Sequence, residues 1–390
     1  MYVYNSQIVQ PGDVFLCLPG GEIYCEEALD KGAREIRYVS RKEMADLAHD
    51  FYDYPATKLV VIGVTGTNGK TSVCYFVSEA LKSLGQKPCF QGTINSQLTT
   101  PESLDTCMAM KQHVDSGGTH FVMEVSSHGI AQDRVHGIDF DVACLTNITQ
   151  DHLDYHGSME AYRKVKLDFM ASVSGQKIYP DDFASLDLIG DEIKMPSFEL
   201  LNKKAAVAIL GACGYDPVKM ASILCDIPAP EGRFEFVDSA APFKVVVDYA
   251  HSPHGLELLL NSALAFQEQN KGKVLVCYGC GGDRDRKKRP LMAQVVSERA
   301  DYSVITNDNP RTEDPKQIVA DMISGVQSNH HYEVELDREM AIKKVCQKAG
   351  PADLVLIVGK GHESYQVIGT EKIDFSDSKI AHSILKSLGY

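Results

Sequence analysis

This sequence is short of positive charge. Lys and Arg number 39 against 53 Asp and Glu, a net charge of −14. A surface of that sign repels phosphate backbones, so broad nucleic-acid binding is excluded, and an anionic substrate needs a local basic pocket. Long apolar runs are also absent. No stretch approaches the roughly twenty residues of a membrane span, so no membrane partner is expected. The start, Met1-Tyr2-Val3-Tyr4-Asn5, has no basic region leading into an apolar core and does not read as a signal peptide. A cytoplasmic location is therefore expected. The eleven cysteines form no metal-ligand series. Cys277 and Cys280 have C-x-x-C spacing, but no second pair or His cluster completes a zinc site. Buried thiols in a reducing compartment are the expectation, with a metal or redox role as the open alternative. No internal repeat and no low-complexity tract occur.

What is present is globular: 390 residues, 44% hydrophobic and 24% charged. That length calls for two or three domains. Residues 1–55 read as a small α/β unit, with a Pro11-Gly12-Asp13 turn, strands at 14–18 and 35–39, and a short helix at 26–31. Tyr54-Pro55-Ala56-Thr57 looks like a linker. From 56 to 230, strands at 59–64, 119–125 and 141–146 alternate with helices at 71–84, 102–115, 159–172 and 202–212. That alternation predicts a parallel sheet covered by helices. Pro228-Ala229-Pro230-Glu231-Gly232 marks a second boundary. Residues 231–390 repeat the α/β pattern, with strands at 244–249, 273–278, 302–306 and 353–358 and helices near 253–267, 288–299, 315–326 and 338–348. The fold class is α/β in three domains.

The most informative segment is Gly63-Val64-Thr65-Gly66-Thr67-Asn68-Gly69-Lys70-Thr71-Ser72. It joins the apolar strand Leu59-Val60-Val61-Ile62 to a helical pattern at Val73, Phe76, Val77, Ala80 and Leu81. Backbone N–H groups at such a turn point at an anion, and the helix dipole adds to the attraction. Lys70 supplies a mobile charge for a phosphate tail, and Thr71 a hydroxyl where Mg²⁺ would sit. Val64 stands where the common phosphate-loop pattern has glycine. The chain is expected to bind a nucleoside triphosphate.

Other polar clusters follow predicted strands. Glu124 closes 119–125 and precedes Ser126-Ser127-His128-Gly129; it is a Mg²⁺-ligand candidate or a solvated strand end. Asp151-His152-Leu153-Asp154-Tyr155-His156-Gly157 packs two His and two Asp into six residues, a candidate metal or phosphate site. Gly279-Cys280-Gly281-Gly282-Asp283-Arg284-Asp285-Arg286, Asp308-Asn309-Pro310-Arg311 and Gly359-Lys360-Gly361-His362-Glu363 each follow a strand. Three such tips of mixed charge can recognise a zwitterion, Arg pairing with carboxylate and Glu with ammonium.

The motifs at 65–71, 124–129 and 151–157, Asp248-Tyr249-Ala250-His251, and the motifs at 308–311 and 359–363, in this order, resemble the Mur ligases over most of residues 5 to 380. More narrowly, they resemble the branch that adds the third peptide residue of the peptidoglycan precursor. The resemblance implies a phosphate-loop ATPase domain at the centre, a Rossmann-like C-terminal domain and a small uridine-binding-like N-terminal domain. It implies ADP-forming chemistry with ATP and Mg²⁺. ATP phosphorylates a substrate carboxylate, and an amine attacks the acyl phosphate. By the same resemblance Lys70, Glu124, His152 and Lys166 are the catalytic set, and Thr71, Glu124, His152 and a carbamylated Lys166 hold metal. Gly66, Thr67, Asn68, Gly69, Lys70, Thr71, Ser72, Asn202, Arg233, Asp248 and His251 meet the nucleotide. Thr99, Thr100, Ser126, Gln132 and Arg134 meet the muramyl-dipeptide acceptor. Arg284, Asp308, Asn309, Arg311, Gly359 and Glu363 line the pocket of the incoming amino acid. Arg311 points to meso-diaminopimelate, whose distal carboxylate suits a guanidinium. Small-molecule substrates and a monomer are expected.

Two features depart from the family pattern. Asn5-Ser6-Gln7 stands where the family opens with Asp-Ser-Arg, and the segment that normally precedes it is missing; the chain is also much shorter between Asp182 and Asn202. A truncated first domain and a reduced central sheet are expected, with a weakened grip on uridine. Two rival functions stay open: a trimmed ligase acting on an acceptor without UDP, and a catalytically silent paralogue that binds nucleotide.

Overall fold

The structure is a computed structural model and describes residues 1–96, 98–186 and 197–390. The chain forms two compact units. The first comprises Met1–Ile148, Tyr155–Asp191 and Leu201–Ile227; the second comprises Thr149–Asp154, Glu192–Leu200 and Pro228–Tyr390.

The first unit holds two sheets. Strands β1 (Tyr2–Val3), β2 (Val14–Cys17) and β3 (Glu35–Tyr38) form a small parallel sheet in that order. A larger parallel sheet has the order β5-β6-β4-β7-β8, with β4 Val60–Thr65, β5 Pro88–Gln91, β6 His120–Glu124, β7 Val142–Leu145 and β8 Gln176–Ile178. Helices cover both faces of central β4, which is why its run is apolar rather than alternating. Gly63 is required within it, since a Cβ there would lie 2.6 Å from the Phe140 ring.

The small sheet is not packed alone. Its core residues Val14, Leu16, Val39, Met44 and Ala48 cluster with Leu104 and Cys107 of helix Ser103–Asp115. Tyr4 also bonds Asp105, and Arg41 pairs with Glu102. The segment read as a linker is a 3₁₀ turn, Pro55–Lys58, with Pro55 and Ala56 buried.

The second unit is built on a six-stranded sheet of order β13-β12-β11-β14-β10-β9. Its members are β9 Glu235–Phe236, β10 Lys244–Asp248, β11 Val274–Cys280, β12 Tyr302–Asn307, β13 Tyr332–Val334 and β14 Leu354–Val358; only β9 is antiparallel. The hairpin β15 (Tyr365–Ile368) and β16 (Glu371–Asp374) follows. Apolar clusters fill both faces of the sheet. Cys277 belongs to one face and Cys280 to the other, because three residues along a strand reverse the side. They cannot converge on one ion, and burial pushes both thiols up to about 12.

The expected long elements match to within a residue or two at most ends. Strands β1, β5, β8, β9, β13, β15 and β16, helices Arg41–Phe51, Pro217–Asp226 and Asp377–Ser387, and several shorter helices were not expected. Among the described residues no helix is long and apolar enough to cross a membrane.

Candidate active site

β4 ends at Thr65, and helix Lys70–Ser83 begins after four intervening residues. Between them Gly66 (φ +146°) and Gly69 (φ +87°) take backbone conformations that favour glycine. Space makes the same demand: a Cβ on Gly66 would collide with Thr146 Oγ1, and one on Gly69 with Asn202 Oδ1. The loop is braced from the end of β7. Thr67 N donates to Asn147 O at 2.9 Å, Asn68 N to Asn147 Oδ1 at 3.0 Å, and Thr146 Oγ1 to Asn68 O at 2.6 Å. The helix ladder opens with Val73 N on Gly69 O, so the first-turn N–H groups of Lys70, Thr71 and Ser72 stand at the loop as anion donors. Lys70 Nζ lies across the loop, 2.9 Å from both Gly66 O and Thr67 O.

Glu124 is not a solvated strand end. It is 1% exposed on β6, beside β4. Thr71 Oγ1 lies 3.0 Å from both its oxygens, and Thr93 donates to it through N–H at 2.7 Å. Gly92 makes room, since a Cβ there would strike the carboxylate. Lys166 is likewise no surface lysine. It is 1% exposed on helix Met159–Ser172, with Nζ 2.9 Å from Gly66 O and 5.0 Å above the Tyr162 ring. The Tyr162 hydroxyl bonds Thr67 Oγ1 at 2.9 Å. Lys70, Thr71, Glu124 and Lys166 therefore surround one loop. His152 belongs to the other unit, half-exposed at φ +52°, with Nε2 3.5 Å from Asp151 Oδ2.

The acceptor candidates form one patch that continues from Glu124. Thr99 Oγ1 is 3.0 Å from Thr93 Oγ1. Thr100 Oγ1 donates to Glu124 O at 2.8 Å and accepts Ser126 N–H at 2.9 Å. Arg134 donates to Thr100 O at 2.9 Å and Gln132 Oε1 at 2.6 Å, and pairs with Glu102 at 3.2 Å.

In the second unit, Asp248 closes β10 and holds backbone: it accepts Phe234 N and Ala250 N, each at 2.7 Å. Burial pushes its carboxyl above the usual range, against the pull of Arg233. The Arg233 guanidinium lies 4.4 Å above the Tyr249 ring, and His251 Nδ1 sits 2.9 Å from Tyr249 O. Asp308 and Asn309 are buried just past β12. Gly359 (φ +113°) lets β14 pass close to them, since a Cβ there would lie 2.7 Å from Asp308 Oδ2. Asn309 Nδ2 donates to Glu363 Oε2 at 2.9 Å. Arg311, at φ +51°, donates to Gly282 O at 2.8 Å. Arg284 is exposed, bonded to Asp283 O. The amino-acid candidates other than Arg284 thus meet around the ends of β12 and β14. No role was expected of Thr93, Asn147, Glu102, Tyr162 or Lys360: the first four stand outside the polar clusters, and Lys360, within the 359–363 cluster, has nothing in its local pattern to show its partners.

A helix N-terminus at a glycine-braced loop, with a hydroxyl and a buried carboxylate beside it on a parallel sheet, defines a phosphate-loop nucleotide-binding α/β protein. The comparisons carry this further. Residues 64–205 match the Mur ligase middle domain, and residues 232–361 match the Mur ligase, glutamate ligase domain. The chain belongs to the Mur ligase family. It is 38% identical to the UDP-N-acetylmuramoyl-L-alanyl-D-glutamate–2,6-diaminopimelate ligase of Geobacillus thermodenitrificans, covering 98% of this chain and 94% of that one. The ligase of the same name from Clostridium botulinum is 34% identical over 99% and 95%. The aligned span with the Geobacillus protein is 461 positions against 390 residues here, so at least 71 residues of that relative have no counterpart. A solved structure of a ligase of this name superposes with a TM-score of 0.61 at 27% identity, covering 100% of this chain and 95% of that one. The MurF ligase of Thermotoga maritima, solved with ADP, shares the fold, with a TM-score of 0.66 at 16% identity and coverage of 99% and 97%.

Proposed function

We propose that this chain is an ADP-forming ligase that joins meso-diaminopimelate to UDP-N-acetylmuramoyl-L-alanyl-D-glutamate. The observation that carries the reading is the 38% identity, over nearly the whole chain, to a ligase named for those two substrates. The phosphates of ATP would lie on the first-turn N–H groups of helix Lys70–Ser83, with Lys70 leaving its loop carbonyls to meet them. A hydroxyl and a carboxylate within 3.0 Å of each other form a hard-oxygen pair that suits Mg²⁺. Thr71 and Glu124 would hold that ion, and carbamylated Lys166 and His152 a second. Bound Mg²⁺ supplies neutralisation of phosphate charge. The chain's own part is positioning. The patch of Thr99, Thr100, Ser126, Gln132 and Arg134 would hold the acceptor with its glutamate carboxylate facing the nucleotide. The pocket of Asp308, Asn309, Arg311, Gly359 and Glu363 would hold the amine that attacks the acyl phosphate. Little covalent work falls to side chains in such a transfer, so alignment of the reactants is the main contribution. The cysteines form no disulfide among the described residues, which would suit a reducing, cytoplasmic compartment.

The test is ADP release by the purified chain. ADP should appear only when both the muramyl-dipeptide nucleotide and meso-diaminopimelate are present, and Lys70→Ala should lower the rate at least about a hundredfold. Release without either substrate, or none with both, would overturn the reading.

A further inference from the structure

One fully buried lysine has no part in the reaction described above. Lys360 lies two residues past the end of β14, and a lysine is almost never found so deep without partners. Its Nζ donates to Glu363 Oε2 at 2.9 Å and to Asn309 Oδ1 at 3.1 Å, and stands 5.7 Å above the Tyr365 ring. The Asn309 amide is held at both ends. Oδ1 also accepts Val367 N–H at 2.9 Å, while Nδ2 donates to Glu363 Oε2 at 2.9 Å. Flipping that amide would turn its NH₂ toward two donors, Lys360 and Val367 N–H. Both donors on Glu363 converge on one oxygen, Oε2, of a carboxylate that is 19% exposed.

We propose that Lys360 is a positioning residue for the incoming amino acid: its ammonium fixes the Asn309 amide and the Glu363 carboxylate so that Oε1 of Glu363 receives a substrate ammonium. The inference rests on the reading of this pocket under the proposed function. Without the lysine, Glu363 keeps one of its two donors and can rotate, and Asn309 loses one of the two donors that orient it. A lysine that served stability alone would affect melting without acting through Glu363.

Lys360→Met keeps the length of the stem and removes the charge. KM for meso-diaminopimelate should rise about tenfold, the order expected for one charge-assisted hydrogen bond. KM for ATP should stay within about twofold, because the phosphate loop is not touched. Glu363→Gln should raise the same KM, and adding Lys360→Met to it should change the value by less than about twofold, since both act through one contact. An unchanged KM in Lys360→Met, or additive effects in the double variant, would overturn the proposal. Should Lys360→Met fail to fold, Lys360→Gln carries the same two expectations. The unsubstituted enzyme, run alongside, separates the two readings. No ADP release with meso-diaminopimelate overturns the substrate assignment and this inference with it. Normal release, with unchanged KM in the variants, overturns only the role of Lys360.

Discussion

At the scale of single residues, burial separates the candidate site residues Glu124 and Lys166 from ordinary surface charges. Basic charge does not distinguish Lys166, since its neighbours Arg163 and Lys164 share it; its place against Gly66 O does. A lysine ammonium repels a cation, whereas a carbamate offers it anionic oxygen. Lys166 is therefore expected to carry CO₂ in bicarbonate-equilibrated protein, read as a ¹³C carbamate resonance after labelling. Lys166→Ala should lose that resonance and the ligase activity together, and small carboxylates should restore part of the activity. A wild-type spectrum without the resonance would refute the assignment. Gln7 is a second informative residue. It is exposed in the turn Ser6–Ile8, and its neutral amide offers fewer donors than the arginine the family pattern has there. Gln7→Arg should lower KM for the UDP-bearing acceptor, and an unchanged value would show that this turn does not meet the nucleotide end.

At the scale of elements, the site loops are held by charged residues that do no chemistry. Arg289 is fully buried and pairs with Glu313 and Asp321 at 2.8 Å each, tying helix Lys288–Arg299 to the loop after Arg311 and to helix Pro315–Ile323. Hydrogen bonds from Arg289 first, then from Asp283 N–H and Arg286, hold the Glu313 carboxyl at about 2. Because the folded value lies below the usual 4.5, the stabilisation is fully present above pH 4.5 and is lost as pH falls toward 2. Acid unfolding of the wild type should therefore steepen in that window. Glu313→Gln should be less stable at pH 7 and flatter between those limits. An identical pH profile for the two proteins would count against the triad.

At the scale of the whole molecule, each unit places its candidate binding groups at the carboxyl ends of parallel strands. In the second unit a buried pair secures that edge. Arg338 and Asp377 are both fully buried at 2.7 Å, and Arg338 also donates to Asn307 O at 3.1 Å and Val358 O at 3.0 Å. Those carbonyls end β12 and β14, one residue before Asp308 and Gly359. Arg338→Met leaves Asp377 buried without its partner and should cost about 3–5 kcal/mol. Thermal unfolding should drop accordingly, and a change below about 1 kcal/mol would show that the edge holds without the pair.

Strong local periodicity made most long elements legible. The glycine, lysine and threonine of residues 66–71 and the clusters at 124–129, 308–311 and 359–363 marked the site, because close approach to an anion and strand-end polarity leave a signature within a few adjacent residues. The sequence by itself thus determined the α/β class, the phosphate loop and the branch of the family. Short β5, β8, β15 and β16 were illegible because three or four residues carry too little period to stand out. Tertiary structure alone decided that Asp248 holds backbone, that Glu102 braces Arg134, that Thr93 braces Glu124, that Tyr162 braces the phosphate loop, and that Lys360 lies under Asn309 and Glu363. Apart from Lys360 with Glu363 and Asp248 with Ala250, which are close in sequence, those pairings join residues distant along the chain, and such a contact leaves no mark on the local pattern of either partner.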